Sequence, residues 1–368
     1  MKPLAGIRVV ELARILAGPW CGQLLADLGA EVVKVERPGA GDDTRHWGPP
    51  FVTAPDGSNR DAAYFHATNR GKRSVAIDIA TPGGQAEVRA LVADADVVIE
   101  NYKVGGLAKY GLDHAALSVV RPGLVTCSIT GFGQTGPYAH RAGYDFIIQG
   151  MGGAMSLTGE PDGPPQKAGV AYADLFTGVY SAVAILAALR RRDLTGEGAL
   201  IDMALLDTQV AVLGNQALNW LAGNSVPTRM GNGHANLTPY QAFETADGAL
   251  IIAVGNDGQF ARLCGVLGLD LHLDARFATN PARVAHRRDL IAGVQAAVAG
   301  WRKADLYEAL EAAGIPAGPI NALDEVFADP QVVARGMAIR PDGLPGLAGP
   351  IVIDGERMVA DCGAPARP

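Results

Sequence analysis

Few residues in this 368-residue chain stand where their type and setting could do chemistry, and Asp174 is the foremost. It opens the most apolar helical stretch, preceded by QKAGVAYA and followed by LFTGVYSAVAILAAL. Helix grammar offers one role, an N-terminal cap whose carboxylate accepts from exposed backbone N–H groups. Covalent catalysis offers another, a carboxylate nucleophile at the helix end of a cleft. Spacing alone does not choose between them. The run GFGQTG (Gly131 to Gly136) fits the dinucleotide pattern G-x-G-x-x-G, but the following PYAHRAG lacks the helical period that a nucleotide-binding turn must open. It reads as a tight loop. The histidines, His114, His140, His272 and His286 among them, form no HExxH and no pair at metal spacing, and read as surface or internally satisfied side chains. No GxSxG occurs, which disfavours the usual nucleophile-elbow hydrolase. Cys21, Cys127, Cys264 and Cys362 lie far apart with no CxxC, so they form neither a disulfide framework nor a zinc site and read as small buried apolar residues in a reducing compartment.

The elements that must position Asp174 alternate. IRVVEL, AEVVKVE, SVAIDI, ADVVIEN and GLVTCSIT read as five strands, with helices from Pro19 to Leu28, closed by Gly29, and from Thr81 to Ala93. Near-continuous Val/Ile strands alternating with helices predict an α/β fold with a parallel sheet covered on both faces. Residues 174 to 222 read as two helices, Leu175 to Arg191 and Leu205 to Leu221, around a polar RRRDLTGEG. A second unit starts near GNGHANLTPY, with a hairpin in QAFETADGALIIAVG turning at Asp247-Gly248 and helical segments at 258–267, 287–300 and 303–313. The Gly- and Pro-rich tail holds one strand, PIVID.

Composition narrows the class. With 48% hydrophobic residues and a net charge of −7, the chain has neither the polarity of a disordered protein nor the basic excess of a general nucleic-acid binder. An anionic ligand must meet a local cluster of positive charge. The N-terminus has no apolar core long enough for a signal peptide, and the apolar run Leu175 to Leu189 falls short of the roughly 20 residues that cross a bilayer. These features predict a cytoplasmic protein with no membrane and no nucleic-acid partner.

Six segments, taken in order, resemble the family III CoA-transferases, the CaiB/BaiF family. They are ARILAGPWCGQLLADLGAEVVKVERPGAGDDTR, YFHATNRGKRSVAIDIATPGG, ADVVIENYKVGGLAKYGL, SITGFGQTGPYAHRAGYDFIIQGMGGAMSLTGEPDGPP, VAYADLFTGVYSAVAILAAL and AGIPAGPINALDEVFADPQVVARGM. The resemblance implies an α/β fold with a Rossmann-like, CoA-binding large domain built from both chain ends (residues 1–200 and about 335–368), a helical linker over 201–225, and a smaller α+β domain with a return linker over 226–334. It also implies an interlocked homodimer.

By the same resemblance Asp174 is the nucleophile toward an acyl-CoA thioester, passing through an aspartyl anhydride and an aspartyl-CoA thioester before an acceptor acid takes the CoA. Acyl-CoA and a small carboxylic acid are then the substrates, and no metal or permanently bound cofactor is implied. The positions matching the family's CoA contacts are Arg37, Ile77, Asn101, Tyr102, Lys103 and Lys109, with Arg14, Leu16 and Ala17 in the first loop. Arg37 also follows a strand end, where parallel-sheet ligands sit. GNGHAN, with Gly231, Asn232 and Gly233, matches the loop over the active site, and Asp145 matches an assisting acid. Leu16 stands where formyl-CoA transferases have Gln, and Ala80 and Ala142 where they have Lys, departures that speak against a formyl/oxalate specificity but not against CoA binding.

The family also holds α-methylacyl-CoA racemases, whose proton transfer needs two acid–base groups. Their His of a G-H-D motif is Tyr144 here, in Gly143-Tyr144-Asp145, and a phenol with a pKa of about 10 is a poor base near neutrality. Transfer is therefore the favoured chemistry. A racemase, or a catalytically idle CoA-binding relative, is the alternative.

Overall fold

The computed structural model describes residues 1–57 and 59–368. The chain forms two compact units. The first comprises Met1–Ala154, Lys167–Gly214 and Asp329–Pro368, and the second Met155–Gln166 and Asn215–Ala328. The helix Asn215–Gly223, expected within a linker, thus belongs to the second unit, together with the 155–166 segment.

The first unit is built on a six-stranded, all-parallel sheet: β1 (Arg8–Glu11), β2 (Glu31–Glu36), β3 (Lys72–Ala76), β4 (Val97–Glu100), β5 (Val125–Thr130) and β6 (Ala199–Ala204). Their spatial order is β3-β2-β1-β4-β5-β6. The order reverses between β1 and β4, so a crevice opens beyond the carboxyl ends of those two strands, the usual ligand position in such sheets. β4 is VVIE and buried throughout, as a central strand covered on both faces must be.

Helices cover the sheet: α1 (Ala17–Asp27), α2 (Pro82–Ala93), α3 (His114–Val120), α4 (Asp145–Met151), α5 (Tyr172–Thr195) and α6 (Leu205–Ala211). α1 stops where Gly29 takes φ +105 and the Ala30 N–H turns back to the Leu25 carbonyl. At the start of α2 the Thr81 hydroxyl accepts from Gly84 N–H at 3.0 Å, with Pro82 in the first turn. One core packs Val9, Cys21, Leu25, Val97, Ile99, Cys127 and Ile185 between the sheet and the α1/α5 layer, and the other packs Val10, Leu12, Val88, Val92 and Leu117 on the opposite face. GFGQTG follows β5 as a loop, with Gly131 so close to Gly143 that a Cβ there would lie 2.5 Å from the Gly143 Cα.

The C-terminal segment is sewn onto the N-terminal half. Asp27 accepts from Ala360 N–H at 2.8 Å and pairs with Arg70, whose guanidinium also reaches the Leu347 carbonyl. Buried Arg45 pairs with Glu36 and Asp61, and Asp61 with Arg367. PIVID supplies Val352–Ile353, paired with Glu356–Arg357.

The structure departs from the sequence reading in this unit. Residues 199–204, to which the sequence assigned no element, form the sixth strand. The helix expected from Leu205 to Leu221 breaks after α6, where Gly214 takes φ +54. α5 runs 24 residues and is long and apolar enough, by length and composition alone, to cross a membrane, where the apolar run expected from sequence was Leu175 to Leu189. It packs on α1 and β5 within the unit. Cys21, Cys127 and Cys264 are buried, whereas Cys362 is exposed.

The second unit holds a three-stranded antiparallel sheet of β7 (Tyr240–Thr245), β8 (Gly248–Ala253) and β9 (Ala317–Pro319), with β8 central. The β7–β8 turn is Ala246-Asp247, one residue before the expected centre. Helices α7 (Asp257–Leu267), α8 (Arg287–Val298) and α9 (Lys303–Ala312) bury Phe260, Leu263, Leu290, Val294, Leu306 and Leu310 against Phe243, Leu250 and Ile252.

Candidate active site

Asp174 is not the helix cap. α5 begins with Ala171 in the capping position, without a side-chain bond, and Asp174 is the third residue of the first turn. The cap comes from Asp145, at the head of α4. Its Oδ1 accepts from Ala173 N–H at 2.9 Å and Asp174 N–H at 3.4 Å, and its Oδ2 from Gln149 Nε2 at 2.7 Å. Fully buried Gln149 uses its own Oε1 to accept from Ala168 N–H, which locks the amide's orientation. A carboxylate 29 residues away thus satisfies the donors that Asp174 was expected to take.

The Asp174 carboxylate is therefore left for the cavity. Among the described residues no donor is bonded to it, and burial, with the repulsion of Asp145 behind it, pushes its carboxyl from 3.8 up to about 7. An acid of this kind is ionised at slightly alkaline pH, is poorly solvated, and is correspondingly more nucleophilic than a surface carboxylate. The Tyr64 phenol is held above its ordinary value by burial first and then by these two carboxylates.

Asp174 opens into a cavity of about 270 Å³ in the first unit, at the β1/β4 switch point. One wall is the Arg14–Ala17 segment that joins β1 to α1, and another is Asn101 to Val104 after β4. Thr130 and Gly131 after β5, with Arg141 and Tyr144 further along that connection, complete it. Of the residues singled out from sequence, the cavity gathers Leu16, Ala17, Asn101, Tyr102, Lys103 and Asp174, together with Arg14.

Others lie outside its lining. Arg37 is exposed, its Nη2 3.6 Å from Asp43 Oδ1. Ile77 is buried in the core with Val88 and Val92. Lys109 lies with its ammonium 4.7 Å from the Tyr110 ring centre. Asp145 stands behind the cavity as the cap. Gly231, Asn232 and Gly233 belong to the second unit, where Gly231 takes φ +56 and donates to the Gly159 carbonyl at 3.0 Å. Arg141, stacked 3.9 Å over the Tyr138 ring, and Tyr64 carried no local signal beyond their place in longer matching segments.

The sequence model of CoA-transferase family III matches residues 4–366. The chain belongs to this family. The family III chain is 60% identical over 357 residues to the succinate–glutarate CoA-transferase of Agrobacterium fabrum, covering 95% of this chain and 89% of that protein. It is 43% identical to human succinyl-CoA:glutarate CoA-transferase over 340 residues, 92% of this chain and 76% of that one. Among solved structures, a CaiB/BaiF family protein from Brucella suis shares 58% identity and superposes with a TM-score of 0.88 over 99% of this chain and 96% of that one. Family membership, with relatives of this identity named as CoA-transferases, makes the protein a CoA-transferase of acyl-CoA metabolism.

Proposed function

We propose that this family III enzyme moves CoA between small dicarboxylic acids, of the succinate and glutarate class named in its relatives, through Asp174. The observation that carries the reading is the Asp174 carboxylate itself: unbonded, half-buried, raised to about 7 and open to a cavity whose walls carry Arg14, Lys103 and Arg141. The positive side chains suit the charges of a CoA thioester and of a second carboxylate.

Four steps follow. Asp174 Oδ attacks the thioester carbonyl, the C–S bond breaks, and an aspartyl–acyl anhydride forms with CoA thiolate leaving. The thiolate attacks Cγ of Asp174, releasing the donor acid as its carboxylate and leaving an aspartyl-CoA thioester. The acceptor carboxylate attacks that thioester carbon, expelling the thiolate and forming a second anhydride. The thiolate then attacks the acceptor's acyl carbon, giving the new acyl-CoA and restoring Asp174. No net proton or electron is exchanged. Tyr144 stands where the racemases carry a histidine, and Asp145's carboxylate is engaged by Ala173 N–H and Gln149 Nε2 as the helix cap, which favours transfer over racemisation.

The working form is a homodimer. Support comes from α5, whose Phe176, Val179, Tyr180, Val183 and Leu186 are exposed large apolar side chains on one helix, more than an isolated soluble surface ordinarily carries. A second copy covering that face, in the interlocked arrangement that the family resemblance implies, removes it from water. The test of the transfer reading is incorporation of isotopically labelled glutarate or succinate into acyl-CoA by pure protein. Asp174→Ala abolishes incorporation; normal turnover in that variant refutes the nucleophile.

A further inference from the structure

The segment between β1 and α1 is held in an unfavourable backbone conformation. Ile15 has φ +74, a left-handed value that strains a β-branched residue. Such a conformation persists only when its surroundings over-determine it, and here they do. Fully buried Lys34 donates to the Ala13 carbonyl at 2.9 Å while paired with Glu11 and Asp42. The Asn101 side-chain amide grips both sides of Arg14, accepting from its N–H at 2.9 Å and donating to its carbonyl at 2.7 Å. Buried Asp42 accepts the strained Ile15 N–H, at 3.3 Å to Oδ2. Thus every polar backbone group from Ala13 C=O to Ile15 N–H is tied to a side chain.

The segment is also fixed against α5. Gly178, one turn beyond Asp174, packs so tightly on the Ala17 carbonyl that a Cβ there would lie 2.7 Å from it. The cavity wall and the helix that carries the carboxylate are therefore registered to one another.

We propose that Asn101 is a positioning residue, clamping the strained Arg14–Ala17 wall at the distance from Asp174 that the attack on the thioester requires. Its carbonyl oxygen and one of its two N–H groups bind the Arg14 backbone, which fixes the amide's orientation and assigns it to holding that wall. The consequence is a separation of kinetic effects. Loss of the clamp relaxes Ile15 out of the left-handed region and displaces the wall; a misplacement of about 1 Å costs roughly 10²-fold in rate. Binding of the nucleotide end of CoA is untouched. This proposal rests on the transfer reading above.

The experiment combines kinetics with hydrogen exchange on the intact protein. In Asn101→Ala, kcat for transfer falls roughly 10²-fold while KM for the acyl-CoA is unchanged. Glycine adopts positive φ freely, so in an Ile15→Gly background the same substitution costs less in kcat. A large rise in KM at constant kcat, or no change in either, overturns the proposal. Exchange of the Arg14 and Ile15 amides, slow in the wild type and fast in Asn101→Ala, reads the clamp without any turnover, and unaltered protection also overturns it. Should the wild type move no acid at all, the transfer reading fails while the exchange result still decides the clamp. Asn101→Asp keeps the acceptor for Arg14 N–H and loses the donor, so it serves if the alanine variant does not fold; it follows the same pattern, lower kcat at constant KM.

Discussion

A carboxylate kept unbonded and poorly solvated is a cost to the fold, and Asp174→Asn measures it. The carboxyl titrates at about 7 in the folded protein against 3.8 in the unfolded chain, because burial, and then Asp145, disfavour its charge. The native state therefore holds this proton more tightly than the unfolded one. Below pH 3.8 both states are protonated and the residue costs nothing. Stability is lost as pH rises from about 4 through about 7 and is level beyond. The interval is about three pH units, and at about 1.4 kcal/mol for each the full effect is about 4 kcal/mol. Asparagine keeps the shape and removes the charge. Asp174→Asn is accordingly more stable than wild type by up to about 4 kcal/mol at pH 8 and equal to it near pH 4. Paired urea melts at a fixed protein concentration, repeated from pH 4.5 to 8.5, give the difference directly. A pH-independent difference, or a less stable Asp174→Asn at pH 8, refutes the argument.

The same titration appears in catalysis: kcat/KM rises with pH through an acid limb near 7, and Asp145→Asn moves that limb to lower pH by removing the negative charge behind Asp174. A limb that stays in place in Asp145→Asn contradicts the assigned cause. Gly178→Ala forces a methyl against the Ala17 carbonyl and Trp20, costing about 1–3 kcal/mol in denaturant melts and roughly 10²-fold in kcat through the displaced Asp174. Val183→Asp puts a charge in the middle of the exposed α5 face, and sedimentation shows a dimer for wild type and a monomer for the variant; a dimer in both sinks the assigned interface.

Much of the fold was legible because its physics is local. Five strands announced themselves as Val/Ile runs, and α1 and α2 carried their own stop and start in Gly29 and Thr81. β6 was not legible: ALIDMA puts Asp202 inside an alternating, half-exposed strand at the sheet's edge, a weaker signal than the apolar runs on either side. The broken helix after α6 escaped because Gly214 is tolerated in a helical pattern until the backbone shows otherwise. At the site, the residues that line one cavity with Asp174 include Leu16, Ala17, Asn101, Tyr102 and Lys103 from the sequence reading, whereas the hydrogen bonds that arrange them had no local signal. Asp174 satisfied the sequence rule for a cap, but the bond went to Asp145, 28 residues before the N–H of Ala173. Likewise nothing near Ile15 in sequence signals a left-handed isoleucine, since the groups that hold it come from Lys34, Asp42 and Asn101, each brought in by the sheet.

The central claim is that Asp174 becomes covalently acylated, and mass mapping of its peptide tests it most directly. Pure protein is incubated with succinyl-CoA, glutaryl-CoA and other acyl-CoAs, quenched in acid and digested. The account requires CoA or an acyl group on Asp174 with a dicarboxylyl-CoA. An unmodified Asp174 under conditions in which labelled acid is entering acyl-CoA contradicts it.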